Sequence, residues 1–182
     1  MQEHRNSFVV DGSPAQVWSL WFGSIPTERS SDPFVIEMDN VRIEILHPGN
    51  GVHDGLVRHC HYPVPRYLLS GGVAESWELV TDVVPNESYR YGAITKPPFA
   101  VAEGRQWLED LGDGRTRVHF HERYEIANAL LRPLLEGPVH RMISDNNDEV
   151  IERGIRMGLQ ALRAAERQVG FAGGSRGEEP KL

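Results

Sequence analysis

The amino-acid sequence predicts an α+β protein in which a curved, seven-stranded antiparallel sheet wraps around one long C-terminal helix, with a short helix near the N-terminus. Three observations predict it. Helix start signals coincide at Ser13, apolar residues recur at helical spacing from about Pro138 to Gln168, and the segments between read as strands separated by turns. A sheet gripping a helix encloses an interior, so what that interior holds becomes the functional question.

Asn6 to Val10 is short and β-prone, and Asp11-Gly12 turns it into a helix from Ser13 to Phe22. Ser13 suits the N-cap, Pro14 the first helical position and Gln16 the reciprocal capping position. Val17 and Trp21, like Trp18 and Phe22, are four apart and share an apolar face, which Gly23 ends. Ser24 to Pro33 is polar and turn-rich, open to a second short helix or a loop. Val41 to His47 and Gly55 to Tyr62 flank Pro48-Gly49-Asn50-Gly51 as a hairpin. Strands follow at about 73–83, 88–95, 100–111 and 115–126, with turns at Pro85-Asn86 and Gly112-Asp113-Gly114. The last helix carries Val139, Met142, Ile143, Val150, Ile151, Ile155, Leu159 and Leu162 on one stripe. Gly154 and Gly158 fall on or beside it, each costing about 1 kcal/mol relative to alanine, so close packing or room for a ligand must compensate.

At 182 residues the chain suits one domain, 1–168, followed by a tail, 169–182, whose Gly173-Gly174-Ser175 and RGEEPKL have nothing to pack and are expected to be disordered. The net charge of −7, with both signs interspersed, argues against a nucleic-acid surface and a polybasic membrane patch. Cys60 is the single cysteine, which excludes an internal disulfide and a four-cysteine zinc site and suits a reducing cytoplasm. No stretch approaches the roughly 20 apolar residues of a membrane span, and MQEHRNSFVVDGSP lacks an apolar signal core. A soluble cytoplasmic protein, monomeric or homodimeric, is expected.

FVVDGSPAQVWSLW resembles the opening strand and capped helix of the SRPBCC superfamily, the helix-grip fold of birch-pollen allergens, START lipid-transfer domains and polyketide cyclase/dehydrase proteins. ESWELVTDVVPNESYRYG resembles that group's strand, proline turn and strand, and GDGRTRVHFHERYEI its penultimate hairpin and closing strand. The resemblance spans about residues 6–166 in order; between Gly23 and Asp39 the chain departs from it, having no Trp where relatives often place a second short helix. It implies an internal cavity for a small hydrophobic molecule such as a lipid, polyketide or aromatic metabolite. Two alternatives are a polyketide cyclase/dehydratase-like enzyme and a protein-interaction module resembling the Hsp90-activator branch. That group fixes no functional residue by motif, so the site rests on this chain's own residues.

Val118, Phe120, Tyr124 and Ile126 alternate onto one face of the closing strand with Glu122 among them, and a carboxylate there is costly unless paired or protonated. Glu122 is therefore the candidate acid, base or polar anchor, with Arg58 or Arg105 as its partner; a strand end emerging into water, or a structural ion pair, would equally place it there. Tyr91, Phe99 and Trp107 can line a ring-walled pocket, although core packing alone accounts for such a cluster. Arg105 adds polarity to its strand, and Met142 and Asn146 lie on the long helix's inward stripe. The expected ligand-binding set is completed by Phe120, Glu122 and Tyr124. His59/His61 and His119/His121 have the spacing of paired metal ligands, but Arg115, Arg117 and Arg123 mark the second pair's side as the solvent face and disfavour a cation; no metal or cofactor is expected. Covalent chemistry has no nucleophile motif, and the histidines beside Cys60 point to the opposite face.

Overall fold

Strand β1 (Gln2–Asp11) passes through Gly12 and Ser13 into helix α1 (Pro14–Phe22) in the computed structural model, which describes residues 2–38, 41–64, 66, 71–96, 99–126, 130 and 132–173. The predicted capping box is present: the Gln16 amide donates to Ser13 Oγ at 3.3 Å and the Ser13 amide to Gln16 Oε1 at 3.0 Å. Gly23 closes the helix in a right-handed conformation, its amide donating to the Ser19 carbonyl at 2.8 Å. Residues 24–33 form turns and bends without a helix.

Seven further strands follow: β2 (Phe34–Met38), β3 (Val41–Pro48), β4 (Leu56–Pro63), β5 (Val73–Val84), β6 (Ser88–Thr95), β7 (Phe99–Gly112) and β8 (Arg115–Ile126). They make one eight-stranded antiparallel sheet in the order β1-β8-β7-β6-β5-β4-β3-β2, a meander whose last strand pairs with the first. The sequence predicts seven strands; the eighth is the edge strand β2, whose Phe34 and Ile36 sit opposite Ile45 and Ile43 of β3. The predicted turns fall where the backbone goes left-handed, at Asn86 (φ 64°) and through Gly112, Asp113 and Gly114 (φ 74°, 54° and 71°). At Gly49 (φ 77°) a side chain would also collide with the hairpin itself, its Cβ falling 2.6 Å from the Asp54 carbonyl oxygen.

Helix α2 (Arg132–Gly173) is longer than predicted at both ends. It starts before Pro138 and continues past Gln168, so residues 169–173 of the expected tail are helical; residues 174–182 lie outside the described residues. None of the described helices is long and apolar enough to cross a membrane. Ile155 and Leu159 are buried against Phe8, Val10, Val17, Val118 and Phe120, with Ile151 and Leu162 packed at the margin. Val150 is exposed, and the side chains of Val139, Met142 and Ile143 lie outside the described residues. The Arg156 guanidinium donates to the Val9 carbonyl at 2.9 Å and that of Arg163 to the Asp11 carbonyl, fixing the helix along β1. At Gly158 the neighbour is Leu20 of α1, which a Cβ would meet at 2.8 Å; Gly154 is exposed, with nothing within 4 Å.

The helix α2 thus packs on α1 and on the β1–β8 end of the sheet. A second core, containing Phe22, Ile25, Ile45, Leu56, Val80 and Tyr89, fills the space between α1 and the β2–β6 half. Trp21 borders both cores, lying edge-on to Tyr89 (ring centroids 5.4 Å apart) and to Phe120 (6.5 Å). Leu159→Ala is expected to cost about 2–5 kcal/mol, whereas Val150→Ala stays within about 0.5 kcal/mol. Urea denaturation of the two variants checks this; similar losses would mean that α2 does not pack through this face.

Candidate functional site

The two-residue period of the strands decides which side chains look inward. On β4 these are Leu56, Arg58, Cys60 and Tyr62, on β5 Ala74, Ser76, Glu78 and Val80, on β6 Tyr89 and Tyr91, and on β8 the even-numbered residues from Thr116 to Ile126. Most are apolar, yet two polar constellations stand among them.

The first is built on Glu78, only 6% exposed. Arg58 lies directly across from it on β4 and donates to Glu78 Oε2 through Nε (2.7 Å) and Nη2 (2.6 Å). Tyr62 and Ser76 donate to the other oxygen, at 2.6 and 2.9 Å. Burial pushes the Glu78 carboxyl up, but the Arg58 charge and these hydrogen bonds outweigh it and hold Glu78 below its ordinary value, so it is an anion at neutral pH.

The second crosses four strands. His4 (β1), Glu122 (β8), Gly104 (β7) and Tyr91 (β6) are successive cross-strand neighbours. The Tyr91 hydroxyl donates to Glu122 Oε1 at 2.6 Å, reaching over β7 to do so. Gly104 makes that reach feasible: a Cβ there would sit 2.4 Å from Tyr91 Cε1 and 2.7 Å from its hydroxyl oxygen. On the far side, His4 Nε2 donates to Asp148 Oδ1 of α2 at 2.9 Å. Burial raises the Glu122 carboxyl; the Tyr91 hydrogen bond opposes this and the Glu78 charge adds to it. Arg58 links the two groups, its guanidinium 5.9 Å from the centre of the Tyr91 ring. One face therefore carries a carboxylate held ionised and a second carboxyl biased toward its protonated form, which can donate as well as accept.

Of the residues expected from sequence, Glu122, Tyr91, Phe120 and Tyr124 stand on this inner face, Phe120 stacked on Phe8 at 5.9 Å within the core. Arg105 and Trp107 do not: the β7 period turns both outward, Arg105 lying over the Trp107 ring at 5.5 Å and Trp107 stacking on His119 at 4.6 Å. The expected partnership of Glu122 with Arg58 or Arg105 is likewise replaced, by Tyr91 for Glu122 and by Glu78 for Arg58. The side chains of Phe99, Met142 and Asn146 lie outside the described residues. Sequence reasoning missed Glu78, Tyr62, Ser76, Gly104, His4 and Asp148. The available signals were Ser76 and Glu78 sharing the period of Ala74 and Val80, and a lone glycine inside a strand.

Cys60 is buried on the inner face, and burial pushes its thiol up to about 12, which leaves it protonated and a poor nucleophile. Two surface depressions, of ≈ 180 Å³ beside residues 26–34 and ≈ 370 Å³ over α1 and the Pro85-Asn86 turn, are lined by neither polar constellation.

No protein-family model and no curated protein matches the chain. Solved structures do. Ara h 8.0201 is 14% identical with a TM-score of 0.59, the match covering 87% of this chain and 98% of that one. A START superfamily protein from Mycobacterium smegmatis is 13% identical (TM-score 0.59; 88% and 98% covered), and the Zhui aromatase/cyclase from Streptomyces sp. R1128 is 14% identical (TM-score 0.55; 90% and 97%). The chain has the helix-grip fold, and its resemblance to the SRPBCC superfamily holds at the level of that fold.

Gly104→Ala is expected to displace the Tyr91 ring and cost about 1–3 kcal/mol, as overpacking does; a crystal structure of the variant with the Tyr91–Glu122 bond intact would contradict this. The Glu122 carboxyl also leaves a pH signature. Because it is raised on folding, the parent loses stability as pH rises from the ordinary value of 4.5 through the folded one, whereas Glu122→Gln has no such loss. The stability of the variant relative to the parent should therefore grow from pH 4.5 to pH 8 in urea titrations, and a constant difference would show that Glu122 is not raised.

Proposed function

We propose that the chain binds a small, largely apolar molecule between the inner face of the sheet and α2, holding an oxygen atom of that molecule against Glu122 and Tyr91. The observation that carries this reading is the pair of inward carboxyls with different partners: Glu78 on the Arg58 guanidinium and Tyr62, which hold it below its ordinary value, and Glu122 on the Tyr91 hydroxyl, raised above its ordinary value by burial. Burying such groups costs stability, and apolar residues of similar volume would serve packing as well or better. Their use is orientation: in an otherwise apolar site, a few convergent polar groups select one pose of a ligand. In its protonated form Glu122 can donate to a carbonyl or hydroxyl oxygen, and the neighbouring Tyr91 hydroxyl can turn to the same oxygen. Structures of the same fold carrying START and aromatase/cyclase titles support a ligand-holding interior.

The same opposed pair favours a second reading, a cyclase- or dehydratase-like enzyme acting on a polyketide-like chain. There Glu122 protonates a substrate carbonyl oxygen as an enol carbon of the same chain adds to that carbonyl, its π bond breaking as the C–C bond forms. The enol hydroxyl proton returns to the Glu122 carboxylate, Tyr91 hydrogen-bonds the oxygen, and the Arg58–Glu78 pair keeps a fixed dipole beside them.

Native mass spectrometry of freshly purified protein is expected to find a co-purified apolar compound. A panel of fatty acids, isoprenoids and aromatic polyketides should contain members that raise Tm, with a smaller rise in Tyr91→Phe and Glu122→Gln. No adduct and no shift across the panel would overturn the binding reading. If a substrate is turned over, Glu122→Gln should slow it by about 10²- to 10⁴-fold while binding persists; normal turnover would remove Glu122 from the chemistry.

A further inference from the structure

We propose that Glu44, His59 and His61, on the outer face of the sheet, form a binding site for a divalent transition-metal ion of the zinc type. The site lies on the opposite side of β4 from the inner constellations and is independent of them. Glu44 of β3 sits directly across from His59 of β4, and His61 lies two residues further along the same face. One donor atom from each of the three lies within 4.8 Å of the others. His59 Nδ1 is 3.7 Å from Glu44 Oε2, close to the roughly 3.3 Å between ligand atoms of a tetrahedral zinc ion.

The surroundings orient these donors. His59 Nε2 is 3.3 Å from Glu75 Oε2, so a bond to that carboxylate leaves Nδ1 toward Glu44 as the lone-pair donor. Its ring is fixed by stacking on Trp77, with centroids 4.3 Å apart and planes 12° from parallel. The His61 ring is 4.1 Å from that of His59, and His61 Nε2 is buried with no hydrogen-bond partner. A buried ring nitrogen left unsatisfied beside two other donors is the observation that asks for a cation.

Nearby cations do not oppose this. Arg42 donates to Glu44 Oε1 at 2.9 Å and Lys96 to Glu75 Oε1 at 2.6 Å, so each cation is matched by a carboxylate whose second oxygen faces His59. Arginines and histidines share the other paired-histidine face, where His119 and Arg117 both bond Glu109. Two imidazoles and one carboxylate favour a zinc-like ion over magnesium or calcium, and three protein ligands leave a fourth position for water. An ion here ties β3 to β4, one strand in from the sheet edge.

Isothermal titration of the full, untagged, EDTA-treated chain with zinc chloride tests the site. One ion per chain is expected, with a matching rise in Tm. His61→Ala and Glu44→Gln, both outward-facing and checked for an unchanged circular dichroism spectrum, should each remove that binding. Glu75→Gln, which keeps all three ligands, should weaken it by about 10- to 100-fold. No binding by the parent, or undiminished binding by the His59→Ala/His61→Ala double variant, would overturn the proposal.

Discussion

Arg58 pairs with Glu78, and the chemistry of the inner face follows from that allocation. Two carboxyls look into one low-dielectric interior, and the guanidinium lies against only one of them. Glu78 takes the charge, with Tyr62 and Ser76 completing its hydrogen bonds. Glu122 is then shifted toward neutrality by its own desolvation and by the anion nearby, and Tyr91 supplies the hydrogen bond that makes its burial tolerable. Removing one partner of such a buried pair typically costs about 3–5 kcal/mol, because the survivor keeps its charge without its compensation.

Among the described residues, the two helices pack on different parts of the sheet. Helix α2 leans on β1, β8 and α1, anchored by backbone-directed arginines, while the rings of α1 pack over the β2–β6 half. Asp148 is the point at which α2 meets the polar row, through His4.

The capped start of α1, the hairpin turns and the alternation of β8 were legible because each is a local rule written in adjacent residues. Glu122 was legible for the same reason, as a carboxyl on an apolar face. Its partner was not: Tyr91 reaches it only because β6, β7 and β8 pair in one register and Gly104 leaves the gap, and neither fact is local. Arg105 and Trp107 show the converse. Their chemistry suited a pocket, but a one-residue difference in phase sends a strand side chain to the other face. Glu78 sat in plain alternation with Val80 and was overlooked because a charged residue in a strand is ordinarily read as outward. The edge strand β2 escaped because five residues give too short a period to register.

Strand β4 alternates two unrelated chemistries residue by residue, with Arg58, Cys60 and Tyr62 inward and His59 and His61 outward. Its pairing with β5 runs unbroken from Val57 to Pro63, while the sheet's nearby irregularities fall at Ile45/His47 in β3 and at Thr81/Val84 in β5. Inserting or deleting a single residue in this stretch would turn the arginine toward solvent and drive imidazoles into the core at one stroke. Point substitutions can alter either face separately, but a change of length within β4 alters both at once, whereas the bulges and turns that flank it can absorb one.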